Sequence, residues 1–389
     1  MDSVRKEIYM DYAATTPVTR RVFEAMKPCF MDEYGNPSST HKKGCDAANL
    51  VFESREKIGG ILGCEPEEVV FTSGGSEANN QAIMTAAKYG MAVGKKHIVT
   101  SAIEHHSVLE TLEALEREHG FEITKVGVDK GGHVKLDEII HAINDNTILV
   151  SLMFINNEIG SIQPIDLIGK VCGKLPLFFH VDAVQAAGHE KIDVKKNCIN
   201  FLSISGHKFG APKGIGALIY DKNSPPFSLI YGGAQENGLR AGTQNVPGIV
   251  GMGVALEESF NWYHTPSNYN SMLHYRDELV EELLKISGSH LNGSLFNRAC
   301  NNVSVSFEGV LGEMVVFLLS QQGIYISSGS ACTSGSLEPS HVLTSLGLDD
   351  DLARGAIRIT LGPSVTHEEV STTVDAIKKA VTQLREGNA

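Results

Sequence analysis

Between about residue 65 and residue 221, short β-rich runs alternate with stretches of helical periodicity. The runs are VVFTS at 69–73, HIVTS at 97–101, ILVSLMFI at 148–155, LFFHVDA at 177–183, FLSIS at 201–205 and GALIYD at 216–221. Several are continuously apolar, the pattern of strands covered on both faces rather than one. Most connections are long enough for a helical crossover, which predicts a largely parallel sheet. The stretch from Gly206 to Ile215 is too short to cross over, so its flanking strands are antiparallel neighbours or unpaired. Ser107 with Glu110 three positions later reads as a capping box, and Val108, Leu112 and Leu115 follow on one helical face.

After about residue 255 the texture changes. Tyr269, Leu273, Val280, Leu283 and Leu284 form a helical stripe, and NNVSVSF reads as a strand. Thr366 and Glu369 then cap a last helix whose apolar face is Val370, Val374, Ile377, Val381 and Leu384. This predicts a second, smaller α/β unit packed firmly on the first, since no repeat or low-complexity linker separates them.

The 389 residues suggest two domains, and 42% hydrophobic against 20% charged residues is enough for sizeable cores. With 33 Lys and Arg against 46 Asp and Glu, the net charge of −13 argues against a nucleic-acid or anionic-lipid partner. The densest apolar run, Thr147 to Ile155, is of strand length and far short of a membrane span. The N-terminal MDSVRKEIYMDY carries charges where a signal peptide would be apolar, so a cytoplasmic protein is expected. Seven scattered cysteines without a CxxC pair suggest neither a disulfide framework nor a zinc site.

Five segments could carry chemistry. In FLSISGHKFGAPKGIGALIY, Lys208 leaves the end of an apolar strand, either snorkelling outward or desolvated as a Schiff-base lysine. Asp182 ends the strand LFFHVD, where an acid serves as a cap, a solvated loop residue, or the carboxylate facing a pyridinium nitrogen. VVFTSGGSEANN reads strand, Gly-Gly-Ser, helix: an anion site with the Ser76 hydroxyl, or a tight turn capped by Ser76. No nucleotide fingerprint accompanies it, since Ile219 stands where Gly214 and Gly216 would need a third glycine. Glu104-His105-His106 lacks a third metal ligand at a telling spacing, so no metal is expected; an imidazole stacked on a flat cofactor, or shuttling a proton, suits the position. Cys332 sits in ISSGSACTSGSLEP between serines and glycines, as an ordinary loop cysteine or as a nucleophile.

Taken together these segments make the chain resemble the cysteine desulfurases, pyridoxal-phosphate enzymes of the aminotransferase class V superfamily that supply sulfur for iron–sulfur clusters and thiolated cofactors. The likeness runs nearly end to end, through MDYAATTPV, NPSSTHKKG, EVVFTSGGSEANN, EHHSV, NNEIGSIQPI, HVDAVQAAG, SISGHKFGAPKGIGAL, QENGLRAGT, SSGSACTSGSLEPSHVL and IRITLG. It implies an α/β fold of fold type I: a large domain with a seven-stranded, mostly parallel sheet over residues 16–258, and a small α/β domain from 1–15 and 259–389 that carries the cysteine loop.

The implied reaction converts L-cysteine to L-alanine and leaves a persulfide on Cys332; selenocysteine lyase is the alternative. By resemblance, Lys208 would bind the cofactor covalently, Asp182 would pair with the pyridinium nitrogen and Gln185 would lie near the phenolic oxygen. His105 would stack on the ring and relay protons, while Gly75, Ser76, Ser205 and His207 would hold the phosphate. Thr243 would reach the phosphate of a second subunit, implying a homodimer. Asn157 and Arg358 would bind substrate, Arg358 by a forked clamp on its carboxylate. A sulfur-acceptor or iron–sulfur scaffold protein would be the partner. The chain departs from the family pattern at Gly75-Ser76, where Ala-Thr is commoner, and at Asn237 and Pro363, each in place of a frequent arginine. Its end at Ala389 leaves less chain than relatives that dock a scaffold through a C-terminal extension.

Overall fold

The computed structural model describes residues 7–329 and 339–387. Its first strand is β1 (Ile8–Tyr9), and the alternating region supplies β2 (Val69–Thr72), β3 (His97–Ser101), β4 (Glu122–Val126), β5 (Thr147–Met153), β6 (Phe178–Asp182), β7 (Phe201–Ser205) and β8 (Gly216–Tyr220). β2 to β8 form a seven-stranded sheet in the order β2-β8-β7-β6-β5-β3-β4. Pairings among β3 to β7 are parallel, whereas β8 is antiparallel to both β2 and β7. The short Gly206–Ile215 connection therefore joins antiparallel neighbours, with Ser205 opposite Gly216. β2 and β7 consequently run the same way. The carboxyl ends of β2, β3, β5, β6 and β7 open on one edge of the sheet, where ligands of open α/β sheets bind.

The six apolar runs are all strands, and β4 is the one they omit. It lies at the sheet's edge with only Val126 buried, so EITKV carries no apolar run to betray it. The central strands are apolar on both faces because both faces are covered. Val99, Val150 and Val181 pack with helices Lys42–Leu62 and Val246–Tyr263, while Ile98 and Leu149 meet Ile83, Leu112 and Leu115 on the other side.

The C-terminal region adds β9 (Ser289–Leu291), β10 (Asn302–Phe307), β11 (Ile324–Tyr325), β12 (Ser327–Ser328) and β13 (Ala356–Thr360). A four-stranded antiparallel sheet, β12-β13-β10-β9, shares a separate core with helices Pro266–Leu284 and His367–Gly387. β1 pairs in parallel with β11, so the N-terminal strand joins this C-terminal unit.

Two details differ from the pattern reading. Leu284 is 42% exposed, because adjacent helical positions cannot share one face and Leu283 takes the core side. The helix at 106–119 is capped by His105 rather than Ser107: the imidazole accepts from Ser107 N, and Ser107 lies inside the first turn. The Thr366–Glu369 box forms in both directions, at 3.0 and 3.3 Å. Among the described residues no helix is long and apolar enough to cross a membrane.

Candidate active site

A cavity of about 580 Å³ lies along the carboxyl edge of the large sheet. β6 delivers Asp182 to it, 5% exposed, with one carboxylate oxygen accepting from Val184 N at 2.9 Å and the other from Asn79 Nδ2 at 2.7 Å. β7 ends at Ser205, and a single 3₁₀ turn, Gly206–Lys208, carries the lysine inward. Lys208 Nζ donates to the carbonyls of Ala13 and Ala14 at 2.6 and 2.9 Å. The N-terminal segment thus closes over the lysine, which is the opposite of snorkelling. Gln185 Nε2 donates to the same Ala13 carbonyl at 3.0 Å.

The helix Gly75–Val93 begins at this edge after β2. Its N-cap is Gly74 and has no side-chain cap, so Ser76 stands within the helix and the first-turn amides remain available to an anion. The backbone here is tightly enclosed. A Cβ on Gly75 would come 2.6 Å from Val184 Cγ2, and one on Gly216 would come 2.6 Å from Gly74 Cα. Ser205 and His207 line the same end of the site, and His207 Nδ1 pairs with Thr15 Oγ1 at 3.2 Å. Burial, with Lys208 and Lys213 nearby, pushes the His207 imidazole down to about 4.

His105 enters from the loop after β3. Burial holds its basicity below the usual imidazole range; Asp182 works against this, while Lys208 and His106 add to it. Arg358 comes from the other sheet, on β13 between Ser304 and Ser327. It is 2% exposed and donates to the Asn157 carbonyl at 3.1 Å and to Asp11 Oδ1 at 2.8 Å. Its Nε has no hydrogen-bond partner among the described residues.

The cavity therefore gathers Gly75, Ser76, His105, Asn157, Asp182, Gln185, Ser205, His207, Lys208 and Arg358. Thr243 is not among its lining residues; it is exposed in a neighbouring recess shared with Ser73 and Gly214. Cys332 lies outside the described residues. A larger recess of about 830 Å³, lined by residues such as Phe154, Glu190 and Tyr263, contains none of the expected site residues.

Several contributors escape a reading by motif. Asn79 and Asp11 hold Asp182 and Arg358, and Ala13 and Ala14 hold Lys208 through backbone carbonyls. Asn79 had one available signal, its place one helical turn after Gly75. Two buried carboxyls also flank the site. Burial pushes Glu104 up to about 8 and Glu158 up to about 7, against Ser101 in the first case and against Ser340 and Arg358 in the second.

The donor set suits pyridoxal phosphate: an uncapped helix start for the phosphate, a carboxylate on a strand end, and a lysine held by main-chain carbonyls in the same cavity. The comparisons agree. The family model "Aminotransferase class-V" matches residues 8–372. A "Cysteine desulfurase IscS" of Methanosarcina thermophila is 48% identical over 380 residues, covering 98% of this chain and 93% of its own length. Another of that name, from Dictyoglomus turgidum, is 44% identical over 383 residues, covering 98% and 96%. Among solved structures, a "NIFS-LIKE PROTEIN" superimposes with a TM-score of 0.91 at 38% identity, over 97% of this chain and 100% of that one. "SspA in complex with cysteine" superimposes at 0.81 with 39% identity, over 93% and 100%.

Proposed function

The chain belongs to the cysteine desulfurases of the class-V aminotransferase family, pyridoxal-phosphate enzymes of fold type I, and from that premise we propose how its own residues divide the reaction. The observation that carries the assignment is the meeting of Asp182, Lys208 and Arg358 in one cavity, from two strand ends of one sheet and a strand of another.

The bound cofactor supplies an electron sink for the substrate's α-carbon. Lys208 Nζ would hold that cofactor and, as a free amine, would take the substrate's α-proton. Asp182 would face the pyridine nitrogen and keep it protonated; Val184 N and Asn79 Nδ2 donate to its two oxygens and fix the carboxylate's orientation. Gly75, Ser76, Ser205 and His207 would hold the phosphate, Gln185 would lie near the phenolic oxygen, and His105 would stack on the ring. Arg358 and Asn157 receive L-cysteine. The guanidinium already holds Asp11, so the substrate carboxylate takes over part of an existing ion pair instead of meeting a bare cation.

Cys332 is the nucleophile in this reading. Its thiolate attacks the substrate sulfur, an S–S bond forms, the substrate C–S bond breaks, and the released electron pair is protonated to complete L-alanine. A free thiol titrates at roughly 8.5, so an acceptor for its proton belongs to the step.

The protein is further proposed to work as a cytoplasmic homodimer that passes sulfur to an acceptor such as an iron–sulfur scaffold. The exposure of Thr243 supports its reaching a second subunit's phosphate. The division into 16–258 and 1–15 with 259–389 is supported by the two separate apolar clusters and by the β1–β11 pairing.

The test is to incubate the cofactor-loaded protein with L-cysteine, quantify alanine and weigh the intact chain. Alanine with a one-sulfur gain on Cys332 is expected. A keto acid in place of alanine would overturn the reading.

A further inference from the structure

Behind His105 lies a connected set of polar groups that the roles above leave unused. Asn79, 1% exposed, donates from one amide nitrogen in two directions, to Asp182 Oδ2 at 2.7 Å and to Ser107 Oγ at 2.9 Å. Turning the amide over would aim its oxygen at a carboxylate, so electrostatics fix its orientation. That orientation leaves Asn79 Oδ1 without a hydrogen-bond partner among the described residues. Interiors rarely tolerate such an orphan unless the other contacts matter.

The polarity of this start propagates. Ser107 Oγ already accepts from the amide, so its one proton goes to His105 Nδ1, 2.9 Å away. The Ser107 backbone N–H meets the same ring nitrogen at 3.1 Å. A backbone N–H cannot accept, so Nδ1 must. The neutral ring then carries its proton on Nε2, and an imidazolium would set an Nδ1 proton against two donors.

We propose that Asn79 and Ser107 are positioning residues that lock His105 in the neutral Nε2–H form and tie its ring to Asp182. His105 then offers the pocket a proton donor rather than a base, which leaves proton abstraction to Lys208. Of the charged and titratable groups facing the ring, Lys208, His106 and His341 oppose a cation there and Asp182 favours one.

The inference rests on the reading of His105 and Asp182 as cofactor contacts, but its main test does not need turnover. Holoenzyme labelled with ¹⁵N-histidine would be compared for wild type, Ser107→Ala, Ser107→Thr and Asn79→Asp, with His105 assigned from its loss in His105→Gln. Wild type and Ser107→Thr should show an acceptor-type Nδ1 and a protonated Nε2. Asn79→Asp exchanges a donor for an acceptor and draws the Ser107 hydroxyl proton away from the ring, so only the backbone N–H still donates to Nδ1 and the ring should titrate higher by about one pH unit or more. Ser107→Ala should move the same way by less, and serves alone if Asn79→Asp does not fold. In the kinetic arm, Asn79→Asp should lower kcat about tenfold with KM for cysteine within about twofold of wild type. A wild-type ring protonated on Nδ1, or unchanged tautomer and titration in Ser107→Ala and Asn79→Asp, would overturn the proposal. If the tautomers behave as expected and no alanine forms in wild type, the functional reading falls and this inference stands.

Discussion

Lys208 is held by two main-chain carbonyls of the N-terminal segment, contacts that do not depend on the side chains of Asp182 or the phosphate-end helix. Lys208→Ala should therefore still take up pyridoxal phosphate, yet borohydride should no longer fix the cofactor to the protein. Cofactor trapped on another lysine would displace Lys208 from its role. Arg358 poses the complementary case, because its planar fork spans the Asn157 carbonyl and Asp11 at once. An ammonium cannot span both and also meet a carboxylate, so Arg358→Lys should raise KM for cysteine about tenfold with a smaller loss in kcat. An unchanged KM in steady-state kinetics would place the clamp elsewhere. Cys332→Ala leaves Lys208, Asp182 and the phosphate-end residues unchanged. Its cofactor absorbance should still respond to cysteine, while persulfide and alanine formation should be lost; a sulfur gained by the mutant chain with alanine formed at the wild-type rate would reassign the nucleophile.

At the level of elements, the phosphate end is shaped by β8 as much as by the Gly-Gly-Ser turn. Gly216 opens β8, and a Cβ there would stand 2.6 Å from Gly74 Cα and 2.7 Å from Gly74 C, backbone atoms that no rotamer change can move. Gly216→Ala should push the turn out of place and weaken pyridoxal-phosphate affinity about tenfold by absorbance titration, whereas Gly60→Ala, with nothing nearby, should not. Unchanged affinity for Gly216→Ala would show that the turn yields freely. The strands that place this site were legible in the sequence because burial on both faces writes a continuous apolar run, and the short Gly206–Ile215 link left only an antiparallel or an unpaired β7–β8, of which the antiparallel pair forms. β4 was illegible for the converse reason: an edge strand with one buried residue has no such run. Lys208, Asp182 and the Gly-Gly-Ser turn stand at strand ends and could be read as candidates from position alone. Asn79, Asp11 and the true cap of the 106–119 helix could not, because each is defined by a partner far along the chain or by an imidazole doing the work of a hydroxyl.

The whole molecule carries two sets of buried titratable groups whose effects on stability oppose each other. Burial holds His180, His189 and His207 down to about 3, 4 and 4, from an ordinary value of 6.5. Burial likewise pushes Glu104, Glu158 and Glu190 up to about 8, 7 and 7, from 4.5. Below pH 6.5 the unfolded chain protonates the histidines and the folded chain does not, so their contribution falls as the pH drops toward 4. Above pH 4.5 the folded chain keeps protons on the glutamates that the unfolded chain has lost, so theirs falls as the pH rises toward 8. Between 4.5 and 6.5 the two slopes oppose one another and these six groups nearly cancel. Above 6.5 the histidines have nothing more to add, and the glutamates alone act until about 8. The cofactor-free protein should therefore lose stability steadily from pH 6.5 to 8, read as a falling urea midpoint at constant ionic strength. Glu104→Gln replaces the group with the highest value by an amide of the same size, so it should flatten that decline, most of all near pH 8. An equally steep decline in Glu104→Gln would mean that Glu104 ionises in the folded chain as readily as in the unfolded one, and the pH response would then have to arise elsewhere in the molecule.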